Sequence, residues 1–177
     1  MFVNRYRVNS PVDIVTTTLG IPKDYRQECI NEAYKLGDTM NKETNVKAIM
    51  SSYHIWKETN VFNILIDNIL KLLPRLIPTY DLDYKIGLDD CWSAIYKKGH
   101  YTVPHKHLPS LYSFCYYLQT TSNTPLIFDE CNFTISPNDD MLVVFPAHLQ
   151  HSVPHHDDNQ DRILIAGNFN LVPNETT

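Results

Sequence analysis

Glycine is scarce in this 177-residue chain, with five residues where roughly 7% of positions would be usual. No G-x-G-x-x-G, G-x-x-x-x-G-K-[ST] or G-x-S-x-G occurs. A Rossmann dinucleotide site, a P-loop and an α/β-hydrolase elbow each need glycine where backbone turns tightly or approaches a ligand. All three are excluded. Runs of one charge are also missing. No Lys/Arg run exceeds two residues and the formal net charge is −5, so the chain lacks the electrostatic footprint of a nucleic-acid or anionic-membrane binder. The longest apolar region, residues 61–77, is broken by Asn, Asp, Lys, Pro and Arg and cannot span a bilayer. The N-terminal MFVNRYRVNS has no apolar core of a signal peptide. The four cysteines form no C-x-x-C. Their wide spacing predicts free, mostly buried thiols in a reducing cytoplasm. Hydrophobic residues make up 43% of the chain, enough for one globular domain over 1–177.

What is abundant is histidine. Seven of eight histidines fall between positions 100 and 156. They lie in a region patterned differently from the rest. The first half carries helical signals. Pro22 and Gly37 bracket a helix with Tyr25, Cys29, Ile30, Ala33 and Leu36 as its apolar stripe. A second helix is predicted over 58–73, with Phe62, Leu65, Ile66, Ile69, Leu70 and Leu73 on one face, and Pro74 and Pro78 ending or bending it. That face is read as packing on a sheet of the same domain. Residues 46–56 are ambiguous.

From about Asp89 the pattern becomes short strands at 92–97, 101–107, 111–119, 125–129, 132–136, 141–145, 151–154 and 162–171, separated by turn-rich stretches. Strands following helices predict a mainly β fold, a double-sheet jelly-roll barrel over 89–171 with residues 1–88 as a helical support layer. The tail 173–177 is expected to fray.

His105 and His107 are two residues apart, which in a strand aims both imidazoles at one face. His151, after the apolar run Met-Leu-Val-Val-Phe-Pro, is the candidate third member of a divalent-metal set. Neutral imidazole suits iron, zinc, copper or nickel. Arg162 opens R-I-L-I-A-G-N-F. Alternation places Arg162, Leu164, Ala166 and Asn168 on one face and Ile163, Ile165 and Phe169 on the other. An inward arginine is expensive unless a carboxylate meets it, so a carboxylate ligand is expected, with a structural acid such as Asp161 or Asp129 as the alternative. Tyr117, with Ser113 and Cys115, can face the same pocket. His100, His148, His155 and His156 are expected at the surface or rim, and 155–158 as a solvated loop. Trp92 and Tyr96 are read as core rather than groove.

These motifs together resemble the 2-oxoglutarate- and Fe(II)-dependent oxygenases, and more narrowly a subgroup that is often phage-encoded. The resemblance rests on P-H-K-H-L-P-S (104–110), S-F-C-Y-Y-L (113–118), F-P-A-H-L-Q-H-S-V-P (145–154) and R-I-L-I-A-G-N-F (162–169), with a weaker likeness over 45–56. It implies a double-stranded β-helix using Fe(II), 2-oxoglutarate and O2, which hydroxylates an unidentified prime substrate and releases succinate and CO2. His105 and His151 match the family's histidine ligands, His107 stands where most members have Asp or Glu, and Arg162 with Tyr117 matches the site of the distal carboxylate. A phage origin would place the protein in a host cytoplasm.

Two departures follow. Three histidines supply no anionic ligand; either His107 is a true ligand or it stands behind one and the third position is vacant, and the spacing of Asp129 and Glu130 does not argue for their approach. Leu164 stands where many oxygenases have Ser or Thr. A cupin is the rival, since residues 99–107 fit G-x₅-H-x-H, but its expected Glu is absent at 111–112 and it has no need of Arg162. The remaining alternatives are a cupin-type metalloenzyme without 2-oxoglutarate and a non-catalytic module binding metal or an acid.

Overall fold

The structure is a computed structural model that describes residues 11–37, 44–77, 84–121 and 123–173. Its elements are β1 (Val15–Thr18), α1 (Lys23–Leu36), β2 (Val46–Lys47), β3 (Ile49–Met50), α2 (Ile55–Glu58), α3 (Asn63–Leu76), β4 (Tyr84–Tyr96), β5 (Tyr101–His105), β6 (Tyr112–Gln119), β7 (Leu126–Phe128), β8 (Phe133–Ile135), β9 (Met141–Pro146), β10 (His151–Val153) and β11 (Arg162–Pro173), with a 3₁₀ turn at Asp129–Cys131.

The strands form two antiparallel sheets. One has the order β1-β9-β6-β11-β4-β3 and the other β2-β5-β10-β7-β8. This is the expected jelly roll. Each strand of the larger sheet separates two environments by its alternation. On β11, Ile163, Ile165 and Phe169 join the core beneath the helices. Leu164 and Ala166 join the core between the sheets. The outer core takes Cys29, Ile30 and Ala33 from α1 and Leu65, Ile66, Ile69 and Leu73 from α3. The apolar face of α3 therefore packs on its own sheet, as the periodicity predicts.

The helix boundaries differ from expectation. Glu58 closes the short α2, and Thr59 is extended at φ −152°, ψ 149°, so α3 starts at Asn63. Its end runs through Pro74 to Leu76. Proline there forfeits one hydrogen bond in a last turn that Ile77 N–H closes onto Leu73 O. Pro78 and residues 174–177 lie outside the described residues.

All eight predicted strands are present. β4 begins earlier, at Tyr84, because its whole length pairs with β11 out to Tyr84 opposite Pro173. Residues 15–18, 46–47 and 49–50 also add short edge strands to the sheets. Gly167 is required where β11 crosses between its neighbours. A Cβ there would lie 2.4 Å from Asp90 O and 2.6 Å from the Phe114 ring. All four cysteines are free, with Cys29 and Cys91 buried. No helix among the described residues is long and apolar enough to cross a membrane.

Candidate metal and carboxylate site

Strand pairing brings the histidines together. β10 pairs with β5 so that His151 stands directly opposite His105, and their ring centroids are 4.4 Å apart. His107 lies beyond the end of β5, not in it, so strand alternation does not aim it. Its N–H instead donates to Ala147 O at 2.9 Å, which ties the loop to the end of β9. The His107 ring then sits 4.8 Å from His105 and 5.1 Å from His151. One nitrogen from each of the three falls within 4.8 Å of the others. Two imidazoles on one ion at about 2.1 Å can be at most about 4.2 Å apart. In a facial or tetrahedral set the nitrogens lie about 3.0–3.4 Å apart, so the widest pair closes by about 1.4–1.8 Å when an ion binds.

Two members are held as ligands need to be. His105 Nδ1 donates to Val103 O at 2.9 Å and His151 Nδ1 to Leu149 O at 3.1 Å. These bonds place the ring proton on Nδ1 and leave the Nε2 lone pair for a metal. Burial lowers the pKa of all three rings. His151 is pushed down to about 3 and His107 to about 4, and in both the neighbouring His105 adds to the effect. At neutral pH the rings are uncharged and can coordinate. Phe145 and Phe128 pack on His151 at 4.8 and 6.3 Å, and Trp92 on His107 at 5.8 Å.

Asp129 and Glu130 are engaged elsewhere. Asp129 accepts from Ser152 Oγ at 3.1 Å, and Glu130 pairs with Lys106 at 2.8 Å. The donor set among the described residues is therefore neutral, and suits a divalent ion that brings or recruits its own anion.

Arg162 is fully buried, yet its Nε and Nη1 have no hydrogen-bond partner. Nη2 donates to Tyr117 Oη at 3.4 Å. The guanidinium lies between the rings of Tyr96 and Tyr117, at 4.8 and 5.1 Å. Neither structural acid considered for it is its partner. Asp161 accepts from Tyr34, and Asp129 from Ser152. Arg162 shares one narrow slot, about 30 Å³, with His105, His107 and His151. That volume is roughly the space of one water, so a carboxylate-bearing chain enters only when the lining side chains part. Arg162 offers such a chain two free donors. Tyr117 is wholly buried beside it, and burial holds its hydroxyl protonated. Leu164 also lines the slot and adds no donor.

Two placements depart from expectation. His156 is not at the rim. It is fully buried, with Nδ1 2.6 Å from Thr124 Oγ1 and Nε2 2.8 Å from Gln160 O. It anchors the loop leading to Arg162, because its short hydrogen bonds outweigh the solvation of a polar run. His148 and His155 are exposed and His100 is half-buried. Tyr96 is buried as expected, but it packs on the guanidinium instead of serving only as core. Asn168 is a residue to which the sequence assigned a face but no role. It accepts from Ser113 Oγ and donates to Asp90 Oδ1, both at 2.7 Å, and lies 3.5 Å from His107 Nδ1. A buried Asn on the inward side of β11 was the available signal.

No protein-family profile and no curated protein matches the sequence. Solved structures do match the fold. The viral collagen prolyl hydroxylase vCPH from Paramecium Bursaria Chlorella virus-1, in complex with 2-oxoglutarate, superposes with a TM-score of 0.68 at 17% identity, covering 88% of this chain and 94% of that one. A Pseudomonas putida prolyl-4-hydroxylase gives 0.67 at 15% identity, with 89% and 91% covered. HygX from Streptomyces hygroscopicus, with nickel and 2-oxoglutarate bound, gives 0.68 at 11% identity, with 94% and 85% covered. The chain has the fold of these proteins over nearly its whole length.

Proposed function

We propose that this protein is an Fe(II)- and 2-oxoglutarate-dependent dioxygenase, acting as a hydroxylase on a prime substrate. His105, His107 and His151 would hold the iron, and Arg162 with Tyr117 the distal carboxylate of 2-oxoglutarate. Bound there, iron, 2-oxoglutarate and O2 would supply oxidation of a C–H bond, with release of succinate and CO2. The protein's own residues do the rest. The carbonyls of Val103 and Leu149 orient two imidazoles, and Phe128 and Phe145 pack on His151 and Trp92 on His107. Arg162 fixes the acid by its planar fork. The free thiols fit a reducing cytoplasm.

One observation carries this reading: a fully buried arginine with two unpaired donors in the same slot as three neutral histidines. The all-histidine donor set also suits a cupin-type metalloenzyme that does not use a 2-oxo acid, but that reading leaves Arg162 without a purpose. The two separate on anaerobically purified protein given Fe(II), 2-oxoglutarate and then air. Succinate formation that disappears in Arg162→Lys and His151→Ala supports the oxygenase. Tightly held zinc with no response to 2-oxoglutarate rejects it.

A further inference from the structure

Beside the three-histidine slot, and sharing His105, His107 and Trp92 with it, lies an outer cavity of about 350 Å³ whose lining also includes Tyr53, Asp89 and Asp90. Trp92 lines both the slot and the cavity, with its ring 5.8 Å from His107 and edge-on to Tyr53 at 5.3 Å. Asp90 is half-buried, and Asn168 Nδ2 donates to its Oδ1 at 2.7 Å. Asp89 beside it accepts from Asn170 Nδ2 at 2.7 Å. Neither carboxylate has a Lys or Arg partner among the described residues. The cavity's Lys106 is committed to Glu130. Burial raises the pKa of Asp90 against the opposing hydrogen bond from Asn168, with the Asp89 charge adding to the rise and His54 working against it. Tyr53 and Asp90 line the same cavity, and burial and the charge of Asp90 raise the pKa of the Tyr53 hydroxyl.

We propose that this cavity selects a prime substrate bearing an ammonium or guanidinium group, held by Asp90 with Asp89 behind it and flanked by Trp92 and Tyr53. This deepens the oxygenase reading and rests on it. A partly desolvated carboxylate with no cation partner carries a cost that a cationic ligand offsets. Aromatic faces beside it add cation–π attraction. The same pair of acids repels an anionic substrate. The volume suits one small amine or one side chain. The cation can belong to a free amine or to a lysine or arginine side chain of a peptide, because the recognised group is the same.

Calorimetry on the metal-free protein tests the cavity alone. The probes are n-butylammonium, backbone-blocked lysine, its neutral counterpart blocked norleucine, 1-butanol and pentanoate. The cationic member of each pair should bind about tenfold tighter than the neutral one, the scale of one charge-assisted contact. Asp90→Asn should remove that preference, and the comparison in the native protein stands even where a variant fails to fold. Preference for butylammonium over blocked lysine marks a free amine as the source, and the reverse marks a side chain. Equal binding of cationic and neutral probes, or preference for pentanoate, overturns the proposal. Normal Fe(II) and 2-oxoglutarate binding with no ammonium preference rejects the substrate class alone. An ammonium preference with no succinate formation rejects the oxygenase reading and leaves the cation site standing.

Discussion

Replacing Arg162 by Met separates a ligand-binding arginine from a structural one. The guanidinium is fully buried, and two of its nitrogens carry unpaired N–H groups. An uncompensated buried ion costs several kcal/mol. Stacking between Tyr96 and Tyr117 returns about 1–2 kcal/mol per ring. Met is apolar and of similar length, so the apo protein should be between unchanged and about 2 kcal/mol more stable. For a chain of this size that is a rise in Tm of up to about 8 °C. The same change removes two charge-assisted hydrogen bonds to a bound carboxylate, each worth about 1.5–3 kcal/mol. Affinity for 2-oxoglutarate should fall by roughly 10² to 10⁴. Differential scanning fluorimetry with Fe(II) or Mn(II), with and without 2-oxoglutarate, reads both effects. The native protein should be stabilised by the acid and Arg162→Met should not. A variant that loses more than about 3 kcal/mol in the apo state, yet keeps the full ligand-induced shift, would refute the reasoning and make Arg162 a fold-holding residue.

Other perturbations test other parts of the structure. His107→Ala should weaken metal binding by at least tenfold in equilibrium dialysis, while His107→Asp should restore it with an anionic ligand; unchanged affinity in the Ala variant would remove His107 from the metal set. The apo protein should lose stability as pH falls below about 6.5. The folded pKa values of His107, about 4, and His151, about 3, lie below the unfolded value, so the unfolded chain binds protons that the native state refuses. The slope should approach about 1.4 kcal/mol per pH unit for each such ring, and bound metal, which keeps the rings unprotonated, should extend it to lower pH. A urea-denaturation series between pH 7 and pH 4 that shows no loss beyond that of a His107→Gln/His151→Gln variant would contradict this. Ile69→Ala in α3, almost wholly buried under the sheet, should cost about 2–5 kcal/mol and leave 2-oxoglutarate affinity unchanged in the protein that remains folded.

Periodicity made most of the barrel legible. The alternation of Arg162 to Phe169 assigned both faces of β11, and the faces are those observed. The α3 stripe was readable because four buried residues recur at helical spacing. Short edge strands were not readable. Residues 15–18 are Val-Thr-Thr-Thr, and they become a strand because β9 offers an unpaired edge, not because of their own pattern. His107 reached the cluster by a different route from the one its spacing suggested. The loop after β5 is set by a backbone bond to Ala147, a tertiary contact with no local signature. His156 looked solvated because acidic and polar residues surround it, but burial depends on which strand ends meet Thr124. The isolation of Arg162 was also invisible. Only the folded arrangement shows that Asp129 and Asp161 have other partners. The same holds for Asp90, whose placement in the outer cavity depends on the β4–β11 pairing.

The central claim is that one slot holds both a metal and a 2-oxo acid. The most direct measurement is the anaerobic visible absorption of the Fe(II) protein titrated with 2-oxoglutarate. A 2-oxo acid chelated to protein-bound Fe(II) gives a charge-transfer band that neither partner shows alone. The account predicts that this band saturates at one equivalent per chain, is lost in His151→Ala, and in Arg162→Met requires at least a hundredfold more 2-oxoglutarate. Absence of the band in iron-loaded native protein, or a band with the same titration midpoint in Arg162→Met, would contradict it.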